Sequence, residues 1–442
     1  MKWAYGVASV LTLAAVAAAL FLNPASLPAV SAQPFTVPPA NPTAACPGPQ
    51  RVPVGDAGAS GDLAAATDDR ELTVWGQGTT VPVDLGTAWS GVVGSSVERI
   101  GDGDLMGLAA VSCTTAGFDD WLVGGSTSLG ASARLVFTNP AGASAQATVT
   151  VYGPLGQVGD PFVVAVPARS QEQRLVEGIA AELRTLAVHV VSSGPGVVVT
   201  MQDSRLDGFQ PAGTDWVGAT QPLTRQVIPS VGAEGEDTTA ELRLMAPEGA
   251  AVSVTLVTGH GIQAWSGARR LDLEPGVVTD ITVPITELGA LEVTSDTPIL
   301  AAARTVVTRE PDEGLEGDVA ADHRWVMGVD ESQEHTLTAV VPWQEASIAV
   351  YSPVATTARF TDAAGTVIAQ VDIEARTVAR VPISVAPGTE VSATGRLAWV
   401  VELTHAEATF IAAVMPVNTV RTDLEVSVRS VPYAPGLGSA KN

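Results

Sequence analysis

LVFTNPAGASAQATVTVYGPLGQV, residues Leu135–Val158, holds the pattern from which the architecture can be read. An apolar strand stops at a proline turn, an alternating strand follows, and a glycine turn ends it. The same grammar returns at Leu242 as LRLMAPEGAAVSVTLVTGHGIQ and at Ile348 as IAVYSPVATTARFTDAAGTVI. Alternation with period 2 is the mark of a half-buried strand, and valine and threonine suit its pleated surface. Downstream, VVAVPARSQEQRLV, RLDLEPGVVTDITV and VDIEARTVARVPI again match, and each copy ends in an apolar strand.

The turn-forming prolines Pro140, Pro247 and Pro353 lie a little over a hundred residues apart, so the chain carries three repeats. Six or seven short strands in about one hundred residues is the content of an immunoglobulin-like sandwich. The expected fold is therefore all-β: tandem immunoglobulin-like β-sandwich repeats after an N-terminal hydrophobic helix. A closed, propeller-like ring of the repeats is the alternative. Read along the chain, 1–22 is a transmembrane anchor or signal segment and 23–50 a Pro/Ala-rich spacer. Residues 51–120 are a partial or degenerate β unit. Repeats 1, 2 and 3 span 121–215, 216–324 and 325–433, and 434–442 is a disordered tail. A tryptophan followed by glycine marks each repeat boundary, at Trp121, Trp216 and Trp325. EQRLVEGIAAELRTL is the one helix-like stretch, and it leaves room for a turn or two.

The uncharged run from Trp3 to Leu22 is about 30 Å long as a helix, enough to span a bilayer with Lys2 on the cytoplasmic side. Val30-Ser31-Ala32 is also an acceptable cleavage site, so the segment reads either as an anchor or as a signal peptide. Both readings place the body outside the cytoplasmic membrane, anchored by this segment or secreted. Eight prolines between 23 and 50 describe an extended spacer. The two cysteines, Cys46 and Cys113, are expected to form one disulfide in an exported chain. A net charge of −24 argues against nucleic acid, whose phosphates require clustered Lys and Arg.

CPGP at Cys46, a lone cysteine shortly before WLVGGST, then ARLVFTNPAGASAQATVTVYGPLGQV and VPARS resemble a family of uncharacterised exported proteins of high-GC Gram-positive bacteria. The resemblance runs from Cys46 to Tyr433 and is strongest from Cys113 to Ser204. It implies a secreted or membrane-anchored β-rich protein, and it supplies no substrate, cofactor or catalytic residue.

The motifs of familiar chemistry do not occur. There is no G-x-S-x-G elbow, no H-E-x-x-H, and no phosphate loop followed by a helix. His189 alternates within a strand and His260 fills a turn, so both read as structural. GDGDLMG at Gly101 and EPDEGLEGD at Glu310 are oxygen-rich loops without calcium-binding spacing. No cofactor and no metal is expected. The expectation is a non-enzymatic cell-envelope protein of structural or interaction type. The alternative is a glycan-binding or glycan-processing accessory at the cell wall. A cleft pairing two carboxylates with an exposed tryptophan would favour that alternative. Its partners would be the cytoplasmic membrane through the N-terminal segment and an envelope protein or glycan. The candidate interaction surface comprises Trp121, Trp216, Trp325, Glu310, Asp312, Glu313 and Glu316.

Overall fold

The computed structural model describes residues 33–37, 43–52, 63–64, 69–76, 78–83, 87–90, 93–233, 238–265, 270–285, 287–311, 314, 318–331, 334–418 and 424–428. The hydrophobic segment 1–22, the tail 434–442, and Asp312, Glu313 and Glu316 lie outside them. Among the described residues no helix is long and apolar enough to cross a membrane. The chain divides into two units, residues 1–40 with 421–442, and residues 41–420. In the first, Gln33–Val37 pairs antiparallel with Leu424–Val428.

The larger unit is all-β, and its one described helix is the short 3-10 turn Ala406–Ala408. The helix-like EQRLVEGIAAELRTL completes the strand Ser170–Leu175 and then makes a turn held by Val176 O, which accepts from Ala180 N at 2.8 Å. Repeat 1 is two four-stranded sheets. One runs Asp119–Val123, Ala187–Ser193, Ala145–Gly153, Gly156–Val166. The other runs Ser170–Leu175, Ala131–Asn139, Val198–Asp207, Gln210–Val217. Leu122, Val149 and Val188 of the first face Leu135, Phe137 and Val199 of the second across a common core. The strict burial alternation of Ala145–Gly153 puts Ala147, Val149 and Val151 inward, as a period of two demands.

Repeats 2 and 3 keep this strand order. In repeat 2 the sixth and seventh strands fuse into Gly289–Thr308, which serves both sheets in succession. The partial unit is a shortened copy. Its second sheet retains Arg70–Gly76, Gly94–Ile100 and Gly107–Ser112. Its first sheet includes Thr43–Cys46, drawn from the stretch expected to be spacer. The four residues TAAC contain no proline, so their N–H groups are free to enter a ladder. Cys46 and Cys113 are disulfide-bonded and fully buried.

Each unit ends in an inner strand at the edge of its second sheet: Gly107–Ser112, Gln210–Val217, Ala321–Met327 and Phe410–Val414. Each inner strand packs against the next, and the last returns to the first. The cores follow the same circuit. Met245, Leu300 and Trp325 of repeat 2 enter the core of repeat 1, and Ala349 and Val400 of repeat 3 enter that of repeat 2. Val97, Leu108 and Ala110 of the partial unit join repeat 3, while Ala109 and Val111 pack on Trp216 of repeat 1. Every seam is apolar at its centre.

The disulfide closes the partial unit, whose own apolar cluster is small. Bridging residues 67 apart restrains the unfolded chain by about 4 kcal/mol in the loop-entropy account. Cys113→Ser should lower the thermal midpoint and open residues 46–113 to hydrogen exchange before the three repeats. Uniform loosening of all four units would contradict this assignment.

Candidate functional site

Two buried aspartates join the four inner strands. Asp215 accepts from Ala110 N at 3.2 Å and from Trp325 N at 2.8 Å. Asp322 accepts from Leu108 N at 3.2 Å and from Ile411 N at 2.9 Å. Both side chains are inaccessible to solvent. Gly213 lies beside them at φ +96°, where a Cβ would come within 2.7 Å of the His323 ring. Burial pushes the Asp322 carboxyl up to about 8, against the lowering effect of the Ile411, Leu108 and His323 amides. Burial also raises Asp215 far above the usual carboxylate range.

Ion pairs line the seams. Arg324 and Arg380 both reach Glu402, with Arg380 Nε at 2.5 Å, and Ser230 adds a hydroxyl donor at 2.5 Å. Burial opposes ionisation of Glu402, but the two guanidiniums hold its carboxyl below the usual range. Arg376 and Tyr351 donate to Glu292, and burial with that bond drives the Tyr351 phenol far upward. Asp203, also fully buried, accepts from Trp325 Nε1 at 2.9 Å and from Arg205 at 3.1 Å. Burial works to raise its pKa, yet Arg205 and His323 depress it strongly. In the partial unit Glu98 accepts from Gln50 N at 2.8 Å and Arg70 Nε at 2.5 Å. The carboxylates of these pairs, Glu402, Glu292, Asp203 and Glu98, are buried structural members.

An open cleft lies where the partial unit meets repeat 3, with a volume near 270 Å³. One wall is the strand Arg70–Gly76, whose alternation puts Glu71, Thr73 and Trp75 on one face. The other wall is the turn Pro342, Trp343, Gln344, Glu345, with Pro387 and His405 behind it. Trp75 is 37% exposed although one face of its ring rests on Gly388. That glycine has φ +89°, and a Cβ there would sit 2.6 Å from the ring, so only glycine permits the contact. Trp343 is held by its Nε1, which donates to Thr404 O at 2.9 Å, and its ring lies 6.0 Å from His405. Glu345 accepts from Ala406 N at 3.0 Å. Two anchored indoles and two exposed carboxylates thus share one open groove.

The residues expected at the interaction surface are placed differently. Trp121, Trp216 and Trp325 are all buried, and they occupy two kinds of position. Trp121 lies in the first strand of repeat 1, stacked on His189 with ring centroids 3.9 Å apart. Trp216 and Trp325 lie in inner strands, at the ends of repeats 1 and 2. They line a small cavity of about 200 Å³, with Ala110, Met327, Ala413 and Met415. His189 Nε2 donates to Asp119 Oδ1 at 2.8 Å, from a strand paired on both sides, so the histidine is a satisfied member of the sheet. Glu310 is exposed in a loop. Among the described residues no three His, Cys, Asp or Glu side chains converge as a metal site. The cleft tryptophans Trp75 and Trp343 were not singled out by the sequence pattern. The available signal was RELTVWG, a strand whose outer face ends in an aromatic.

The chain matches a family of unknown function (DUF5719) over residues 64–394. It belongs to that family. No curated protein and no solved structure matches it.

The raised proton affinity of Asp322 makes stability pH-dependent. The folded state holds this proton more tightly than the unfolded state, where the carboxyl has an ordinary pKa. Its contribution is therefore complete below about pH 4 and is lost as pH rises towards 8. Asp322→Asn retains an acceptor for both amides and should flatten the denaturant midpoint between those limits. An unchanged pH profile in the variant would contradict the assignment.

Proposed function

We propose that this chain is a non-enzymatic, extracytoplasmic protein of the cell envelope, built of immunoglobulin-like sandwiches closed into a ring, and that its ligand is a glycan. The observation that carries the reading is the cleft of Trp75, Trp343, Glu71 and Glu345. Sugar rings present apolar C–H faces that stack on indoles, while carboxylates accept from their hydroxyls. The cleft therefore meets the condition of two carboxylates with an exposed tryptophan. Binding rather than turnover is favoured because the carboxyls with the highest proton affinity, Asp215 and Asp322, are sealed inside the ring. Location outside the membrane rests on the apolar run 3–22 and the following prolines, and it accords with a structural disulfide. The N-terminal segment would be its attachment to the cytoplasmic membrane.

Calorimetric titration of the purified body with soluble cell-wall glycan fragments tests the ligand. Trp75→Ala and Trp343→Ala should each weaken binding roughly tenfold or more, as loss of an aromatic anchor does. Phe209→Ala, a change at a residue 84% exposed and outside the cleft, should leave it unchanged. Equal affinity in all variants would remove the cleft from consideration, and release of shortened glycan would establish an enzyme. Protease added to wall-stripped cells should digest the body. Full protection would refute the location.

A further inference from the structure

A third cavity, near 570 Å³, opens between repeats 1 and 2 and gathers four arginines: Arg184, Arg205, Arg243 and Arg304. Only two carboxylates, Glu241 and Asp280, share its lining. This excess of cations stands in a chain with 23 Lys and Arg against 47 Asp and Glu. The arginines come from separate elements. Arg205 and Arg304 lie on the seventh strands of repeats 1 and 2, and Arg243 on the second strand of repeat 2. Arg184 precedes the strand Ala187–Ser193.

The existing pairs do not use all of this donor capacity. Arg243 grips Asp280 with Nε at 2.7 Å and Nη2 at 2.8 Å, and Arg304 Nη2 reaches Glu241 at 2.7 Å. Arg205 turns to the buried Asp203. Arg304 Nε is buried with no acceptor. Arg184 extends an exposed side chain for which the described residues provide no partner. Burial lowers the proton affinity of Arg205, and Arg304 and Arg243 lower it further, so the cations crowd one another. Unspent N–H donors on crowded guanidiniums call for a multivalent oxyanion. Guanidinium forks match phosphate in shape and charge. The hydroxyls of Ser128 and Thr279 line the same space.

We propose that this cavity is a phosphate-binding site, separate from the glycan cleft and independent of it. It takes a phosphate group, and Arg184 closes over the bound anion. Free phosphate and a phosphodiester of an envelope polymer share this chemistry. Inorganic phosphate and a glycerol phosphodiester serve as separate calorimetric probes of the purified full chain, with sodium acetate as the monoanion control. At least one phosphate probe is expected to bind saturably and raise the thermal midpoint, and the tighter of the two identifies the source. Arg184→Ala removes no side-chain hydrogen bond or ion pair among the described residues, so its ligand-free melting should equal that of the wild type. Its phosphate affinity should fall roughly tenfold or more, the loss of charge-assisted hydrogen bonds. Arg184→Lys should recover only part of it, because an ammonium lacks the planar fork. Absence of saturable binding would overturn the proposal. So would undiminished affinity in Arg184→Ala, or acetate binding as well as phosphate.

Discussion

Four backbone amides held by two buried carboxyl groups are the constraint on which the larger unit depends. Each inner strand is the edge of its own sheet, with one row of N–H and C=O groups left over. Edges of this kind invite pairing with other chains and must be covered or satisfied. Here all four edges face a common axis. Asp215 takes amides from the partial unit and repeat 2, and Asp322 takes amides from the partial unit and repeat 3. Since an unpaired buried amide is costly, these two side chains turn four liabilities into mutual contacts. The sandwiches are thereby made to close on one another.

The seam charges determine which unit stands beside which. A buried ion costs several kcal/mol in desolvation unless a partner of opposite sign awaits it. Glu402 of repeat 3 finds Arg324 of repeat 2, and Glu292 of repeat 2 finds Arg376 of repeat 3. Arg243 of repeat 2 reaches across to Gly125 O of repeat 1 and lies over Trp325 at 5.1 Å. Exchanging neighbours would strand each of these charges. Apolar contact at every seam supplies the attraction, and the polar groups supply the order.

Both ligand-sized features fall at seams and not within a sandwich. A sandwich interior is filled by its own alternating side chains, so no room remains there. Where two units meet, curved surfaces touch along a line and leave grooves on either side. The cleft at Trp75 and Trp343 and the arginine cavity are such grooves, on opposite flanks of the chain order. One presents aromatic faces and acceptors, the other a surplus of donors.

Local rules were sufficient for much of this molecule. The alternation of ATVTVYG, the proline after Asn139 and the glycines after Val151 specify strands and turns through contacts between near neighbours. The Cys46–Cys113 pairing followed from there being two cysteines in a chain read as exported. The repeats were legible for the same reason, since each copy solves the same local problem. Period 2, however, tells only that a residue points to one face, not what that face meets. Trp216 and Trp325 therefore resembled Trp121 in sequence, yet they close repeats while Trp121 opens one. Nothing in the local pattern singled out Asp215 and Asp322, because the inner-strand amides they bridge lie more than eighty residues away in the chain. Trp75 and Trp343 come together only when repeat 3 returns to the partial unit, and no local pattern records that closure. The strands were decided by the sequence near each residue; the sites were decided by which surfaces the closed ring brings face to face.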